Sequence, residues 1–271
     1  MKSILLHVQE DPSLERRLDA ALALARACGG HLGCLHVTPV EAYVAMDSFG
    51  GVFVMQEMLT AIDDQENALR KRVEDRLSRE EIGWDYEQVT GSVANVIISR
   101  AALSDVVVAG RERHSRALEG AALALLGDLL HRSRTPILVP AKSGRAYDPT
   151  GPALIGWDGS YEAANAVRGA LGLLKLASDV RVVRVEETPE ALFPSTRLLE
   201  YLSRYGVHAE LEVDSNEQKW AGALLLEHAL DSGVQTLVIG GYSHSRIGEY
   251  LFGGVTRTLL TDCPVALFVA H

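Results

Sequence analysis

Hydrophobic positions in this chain come in short continuous runs separated by longer stretches of helical periodicity. The runs are Ile4-Leu-Leu-His-Val8, His31-Leu-Gly-Cys-Leu-His-Val37, Val106-Val-Val-Ala109 and Pro136-Ile-Leu-Val139. A second series follows: Ala153-Leu-Ile-Gly-Trp157, Val180-Arg-Val-Val-Arg-Val185, Val234-Gln-Thr-Leu-Val-Ile239 and Pro264-Val-Ala-Leu-Phe-Val269. Runs apolar on both faces are what parallel strands buried under helices require. Two further segments, Trp84–Val89 and Val207–Val213, alternate polar with apolar, as half-exposed edge strands do. Helical patterns fall between them, from Ser13 to Cys28, Glu57 to Arg79, Tyr161 to Ala177 and Val255 to Leu260. The pattern predicts βαβ units with right-handed crossovers, hence an open doubly wound sheet.

The pattern occurs twice. Ser104–Arg116 and Val234–Arg246 are both β-branched runs that stop at a glycine and continue into a polar turn ending His-Ser-Arg. Gly110 to Arg116 and Gly240 to Arg246 keep the same spacing. The repeat is domain-sized, far longer than a solenoid unit. Lys142–Pro152, polar and rich in Gly and Pro, reads as the linker between a unit over 1–141 and a unit over 153–271.

Composition narrows the partners. A net charge of −10 over 271 residues argues against nucleic acid, whose phosphates reward a basic stripe. No apolar run approaches the roughly 20 residues a membrane helix needs, and Met1–Leu6 is too short for a signal-peptide core. Cys28, Cys34 and Cys263 are scattered, which implies no disulfide framework and a cytoplasmic setting.

Candidate chemistry lies in the second half. The strand over 153–157 ends in Asp158-Gly159-Ser160, at the carboxyl edge where open α/β sheets hold ligands. Asp158 could accept hydrogen bonds from a ribose or an adenine amino group; equally, Asp158 or Ser160 could cap the following helix. Gly240 ends a strand, Ser243 offers a hydroxyl, and Gly253-Gly254 precede a predicted helix. Glycines admit close approach of a ligand to the backbone, and a helix N-terminus attracts phosphate. The same glycines could serve tight turns and packing. His7 and His36 read as core or strand-end histidines, and Trp157 as pointing into the sheet face.

Asp158-Gly-Ser, Gly240-Gly-Tyr-Ser-His-Ser-Arg246, Gly253-Gly-Val-Thr and Cys263-Pro-Val resemble a universal stress protein domain, and the whole chain resembles the tandem members of that family. The resemblance implies two fused doubly wound α/β domains, each an open five-stranded parallel sheet with helices on both faces. It also implies ATP, with Mg, held through a Gly-x2-Gly-x9-Gly-Ser/Thr pattern. The spacing is kept here, with Ser243 in place of the second glycine and Gly254 in place of the hydroxyl residue. A Cβ at 243 disfavours positive φ, and glycine at 254 removes a phosphate contact. On this reading Asp158 contacts the adenosine end and the backbone near Val185 the base. Gly240, Ser243, Gly253, Gly254 and Val255 would hold the phosphates.

The first half departs further. Aligning its opening strand puts Gln9 opposite Asp158, with Asp11 two residues on. Arg113 stands where a small residue is needed, Leu123-Ala124 replaces the glycine pair, and Gly127 is out of register. This reads as a degenerate copy, with Arg111 and Arg113 either holding an anion or solvated on the surface. The apolar segment Tyr43–Met55 could be a lid, a protein-partner surface, an apolar ligand pocket or a cover for the domain joint. Three functions stay open: an ATP-binding regulatory stress protein, a nucleotide-independent scaffold, or a slow ATPase using His244 and Arg246. The resemblance further implies that closing strands 136–139 and 264–269 pair within one chain, giving a pseudo-twofold monomer; a homodimer is the alternative.

Overall fold

The computed structural model describes residues 1–39, 52–111, 116–142, 144–185, 192–215, 219–231, 233–241 and 254–271. The first half runs β1 (Ser3–Val8), α1 (Leu14–Cys28), β2 (His31–Pro39), α2 (Val52–Leu77), β3 (Gly83–Gly91), α3 (Val93–Ala101), β4 (Val106–Val108), α4 (Arg116–Arg132) and β5 (Ile137–Val139). The second runs β6 (Ala153–Gly156), α5 (Tyr161–Leu174), β7 (Val180–Val185), α6 (Ser195–Arg204), β8 (Glu210–Asp214), α7 (Ala221–Asp231), β9 (Thr236–Gly240), α8 (Gly254–Asp262) and β10 (Ala266–Ala270). Every strand anticipated from the apolar runs is present, with ends shifted by up to three residues at β8.

All strands join one sheet in the order β3-β2-β1-β4-β5-β10-β9-β6-β7-β8. Each half is parallel and doubly wound about its first strand, with β1 between β2 and β4 and β6 between β7 and β9. The halves join where β5 and β10 pair antiparallel, Val139 opposite Leu267 and Ile137 opposite Val269. The two closing strands thus satisfy each other's edges within the chain.

Strand alternation sorts the core into two layers. Ile4, Leu6 and Val8 of β1, with Ala266, Phe268 and Ala270 of β10, pack under α1, α2, α5 and α6. Leu5, Val107, Leu267 and Val269 face the other way, under α3, α4, α7 and α8. Burial of each such side chain contributes roughly 1.5–3 kcal/mol, so both faces are anchored and register is fixed.

The halves differ most in length at one helix pair. α2 has 26 residues and α6 only 10. α2 begins at Val52, so the end of the apolar segment over 43–55 is helical; its residues 43–51 lie outside those described. Within the linker, Tyr147 is packed against the core and its hydroxyl lies 3.2 Å from Thr236 Oγ1. The Thr150 carbonyl accepts from Ser178 N–H. The connection is therefore docked onto the second half.

Candidate functional site

At the carboxyl edge of the second half, β6 and β9 run side by side, with Gly156 opposite Ile239. The Trp157 N–H still donates to the Val183 carbonyl, so the ladder ends just before Asp158. Trp157 is 5% exposed and joins the core, facing the sheet as alternation requires. Asp158 is exposed. Its Oδ1 accepts from Ser160 N at 2.9 Å and from Ser160 Oγ at 2.6 Å, while Oδ2 accepts nothing among the described residues. Gly159 between them has φ +71°, a conformation that costs an L side chain strain. Ser160 is the helix cap: its Oγ accepts from Ala163 N at 3.1 Å. Asp158 braces that cap with one oxygen and presents the other outward.

Gly240 closes β9 beside this turn. A Cβ there would press on the Ala163 N–H and lie 2.6 Å from the Glu162 carbonyl carbon, both α5 backbone. The glycine is needed because the helix approaches the strand, which is the packing role. Gly241 continues the edge: its N–H donates to the Ala270 carbonyl, and its carbonyl lies 3.0 Å from His271 Nδ1. A Cβ on Gly241 would sit 3.8 Å from Thr256 Cγ2, so the first turn of α8 borders the same edge. Gly254 is the first residue of α8 and is exposed, with no atom of the described residues within 4 Å of where its Cβ would be. Val255, beside it, is half-buried. Two helix N-termini, of α5 and α8, therefore flank one strand edge, and both favour negative charge. Val185 ends β7, on the opposite side of β6 from β9. Ser243, His244, Arg246 and Gly253 lie outside the described residues.

The first half shows the same bracket with a different filling. Asp11 Oδ1 accepts from Ser13 N and Ser13 Oγ, both at 2.9 Å, as Asp158 does from Ser160. Strand register does set Gln9 level with Asp158, but Gln9 and Glu10 lengthen the loop and Asp11 takes over the hydrogen-bonding part. Asp11 is buried where Asp158 is exposed, because Arg17 covers it with bonds of 2.8 and 2.9 Å.

Arg111 corrects another expectation. It is neither solvated nor open to an anion: it is 3% exposed, and its guanidinium donates to the carbonyls of Pro140 (2.9 Å), Leu259 (3.3 Å), Leu260 (3.1 Å) and Cys263 (2.9 Å). Three of these belong to the last turn and C-terminus of α8, whose orphan carbonyls a cation satisfies. Arg113 and His114 lie outside the described residues. His7 and His36 are buried, as strand-borne core histidines should be. Burial holds the His36 imidazole below its ordinary value, opposed by the Glu66 carboxylate. Burial likewise pushes the Cys34 thiol up to about 12. Among the described residues no group of three or more His, Cys, Asp or Glu could hold a metal ion, and no helix is long and apolar enough to cross a membrane.

No protein-family model matches the chain. A universal stress protein from Synechocystis sp. is 23% identical over 99% of this chain and 100% of its own length. A solved universal stress protein from Archaeoglobus fulgidus DSM 4304 superposes with a TM-score of 0.72 at 15% identity, over 99% of this chain and 96% of that one. The chain has the fold of a universal stress protein, here as two joined α/β halves. A functionally unknown protein from Pseudomonas aeruginosa PAO1 has a similar fold, with a TM-score of 0.59 and 17% identity over 100% of this chain and 92% of that one. Against the universal stress protein pattern, the structure brings Asp158, Gly240, Gly254 and Val255 to one strand edge and sets Val185 across β6 from them.

Sequence reasoning missed Arg17. Its signal was a charged residue on the apolar stripe of a helix, in phase with Leu14, Leu18 and Ala21.

Proposed function

We propose that this tandem universal stress protein binds an adenine nucleotide at the strand edge of its second half and acts as a regulatory, cytoplasmic binding protein. The observation that carries the reading is the contrast between the two aspartates: Asp158 is exposed and its Oδ2 accepts nothing among the described residues, whereas Asp11 is buried and paired with Arg17. In this reading Asp158 receives the ribose or the adenine amino group, and the backbone near Val185 meets the base. The α8 N-terminus, through Gly254 and Val255 with Gly240, Ser243 and Gly253, takes the phosphates of Mg-bound ATP. The exposure of Gly254 at the first position of α8 supports the phosphate end of this assignment.

Titration calorimetry with Mg-ATP on the full chain, beside Asp158→Ala, tests it. Saturable binding near one equivalent, weakened at least tenfold in the variant, is the expected result, since a charge-assisted hydrogen bond contributes about 1.5–3 kcal/mol. No heat at millimolar ATP sinks it. A scaffold reading is favoured by one observation, the contact of Gly240 with α5 backbone, which explains that glycine without a ligand. Absence of ATP binding would leave that reading standing. The antiparallel β5–β10 pairing supports a pseudo-twofold monomer, and light scattering that returned twice the 29.4 kDa chain mass would overturn it.

A further inference from the structure

The Arg17 side chain is 1% exposed and donates to five acceptors. Nη1 donates to both Asp11 oxygens and to Ser13 Oγ (2.5 Å), Nε to the His7 carbonyl (3.2 Å) and Nη2 to the Gln9 carbonyl (2.7 Å). These acceptors belong to the end of β1 and its loop, the edge that in the second half carries Asp158. β4 borders it, and Gly110 is glycine for this reason: a Cβ there would strike Nη1 and lie 2.8 Å from Ser13 Oγ.

Among the described residues the second half has no such occupant. Arg17 N–H bonds the Ser13 carbonyl and Ala164 N–H bonds the Ser160 carbonyl, so Ala164 holds the position of Arg17. The turns differ too. Gly159 takes φ +71°, while Pro12, in the same place between Asp and Ser, is locked near −65° and cannot. In the first half the loop closes over a cation; in the second it leaves its carboxylate facing water.

We propose that the strand edge of the first half is a guanidinium receptor occupied by the chain's own Arg17, and that this occupant closes the first half to a phosphate-bearing ligand. The Arg17–Asp11 pair is neutral as a unit, and the guanidinium is buried among its acceptors. Phosphate would find neither net charge nor an exposed N–H there. Closure to a phosphate-bearing ligand rests on the nucleotide reading above; the receptor itself does not.

Chemical rescue tests the receptor. Arg17→Ala leaves Asp11 buried without its cation, and the melting temperature of the full chain should fall by about 10 °C. Methylguanidinium chloride at about 20 mM should recover roughly 5 °C in a saturable way, at fixed ionic strength, by binding the vacated shell. It should not raise the wild type, and methylammonium chloride should raise neither. An Arg17→Ala protein that melts like the wild type, or that responds to methylguanidinium no better than the wild type does, overturns the proposal. If Arg17→Ala yields no folded protein, Arg17→Lys decides: an ammonium cannot span acceptors on opposite sides of a planar fork, so wild-type stability in that variant refutes the guanidinium requirement. Two equivalents of Mg-ATP on the wild-type chain would refute closure of the first half. Zero equivalents would sink the nucleotide reading alone, with the rescue still deciding the receptor.

Discussion

Arg111→Met should uncouple the seam between the two halves. The side chain emerges after β4 of the first half and ends among the final carbonyls of α8 in the second, with a fourth acceptor at Pro140 beyond β5. Methionine keeps most of the volume and removes every donor. Hydrogen bonds from a charged group contribute about 1.5–3 kcal/mol each, but here one buried cation serves four acceptors, and its own desolvation costs several kcal/mol. The carbonyls left behind are shielded, and the net loss should be about 3 kcal/mol, equivalent to roughly 6–12 °C in melting temperature. Urea denaturation gives the free energy, and amide exchange over residues 254–262 gives the location, because α8 loses its C-terminal cap. Arg16→Met, at an exposed position on α1, serves as control and should stay within about 0.5 kcal/mol. A loss below about 1 kcal/mol with unchanged exchange in α8 would refute the argument.

Other consequences follow from single side chains. Gly240→Ala should lower stability by about 2–4 kcal/mol whether or not nucleotide is present, since the new methyl meets helix backbone; a variant with wild-type stability would show that α5 can shift. Ser160→Ala should cost about 1 kcal/mol through the lost cap, read by urea titration, and an unchanged midpoint would show that Asp158 caps the helix alone. His36 has a folded-state value below the ordinary 6.5, so the unfolded chain binds the extra proton first. Stability should therefore be intact above about pH 7 and fall as pH drops through 6.5. His36→Leu should flatten that slope, and an unaltered slope would place the effect elsewhere. Cys34, pushed up to about 12, and the raised Cys263 should resist a disulfide reagent at pH 8 in the native state, whereas half-buried Cys28 should react first; rapid labelling of two or more equivalents would contradict the burial of Cys34 and Cys263.

Much of the architecture is legible in the chain itself. Continuous apolar runs such as Ile4–Val8 and Val106–Val108 can only be strands covered on both faces, and the helical stretches between them impose parallel crossovers. The repeated segment ending in Gly110 and Gly240 marks the duplication. The turn at Asp158-Gly159-Ser160 is likewise local chemistry, set by a short carboxylate, a residue that tolerates positive φ and a hydroxyl at the cap.

What each of these residues does depends on neighbours remote in sequence. Gly110 and Gly240 look alike as letters, yet one yields space to the Arg17 guanidinium and the other to the α5 backbone. Asp11 and Asp158 hold the same local bond to a serine, and only the folded position of Arg17 buries one and leaves the other in water. Arg111 reads as a surface cation until β5 and β10 pair and bring the end of α8 over it. Periodicity and turn chemistry act over a few residues and are written in the sequence. Burial and charge compensation are sums over contacts between distant segments, so the tertiary structure alone decides them.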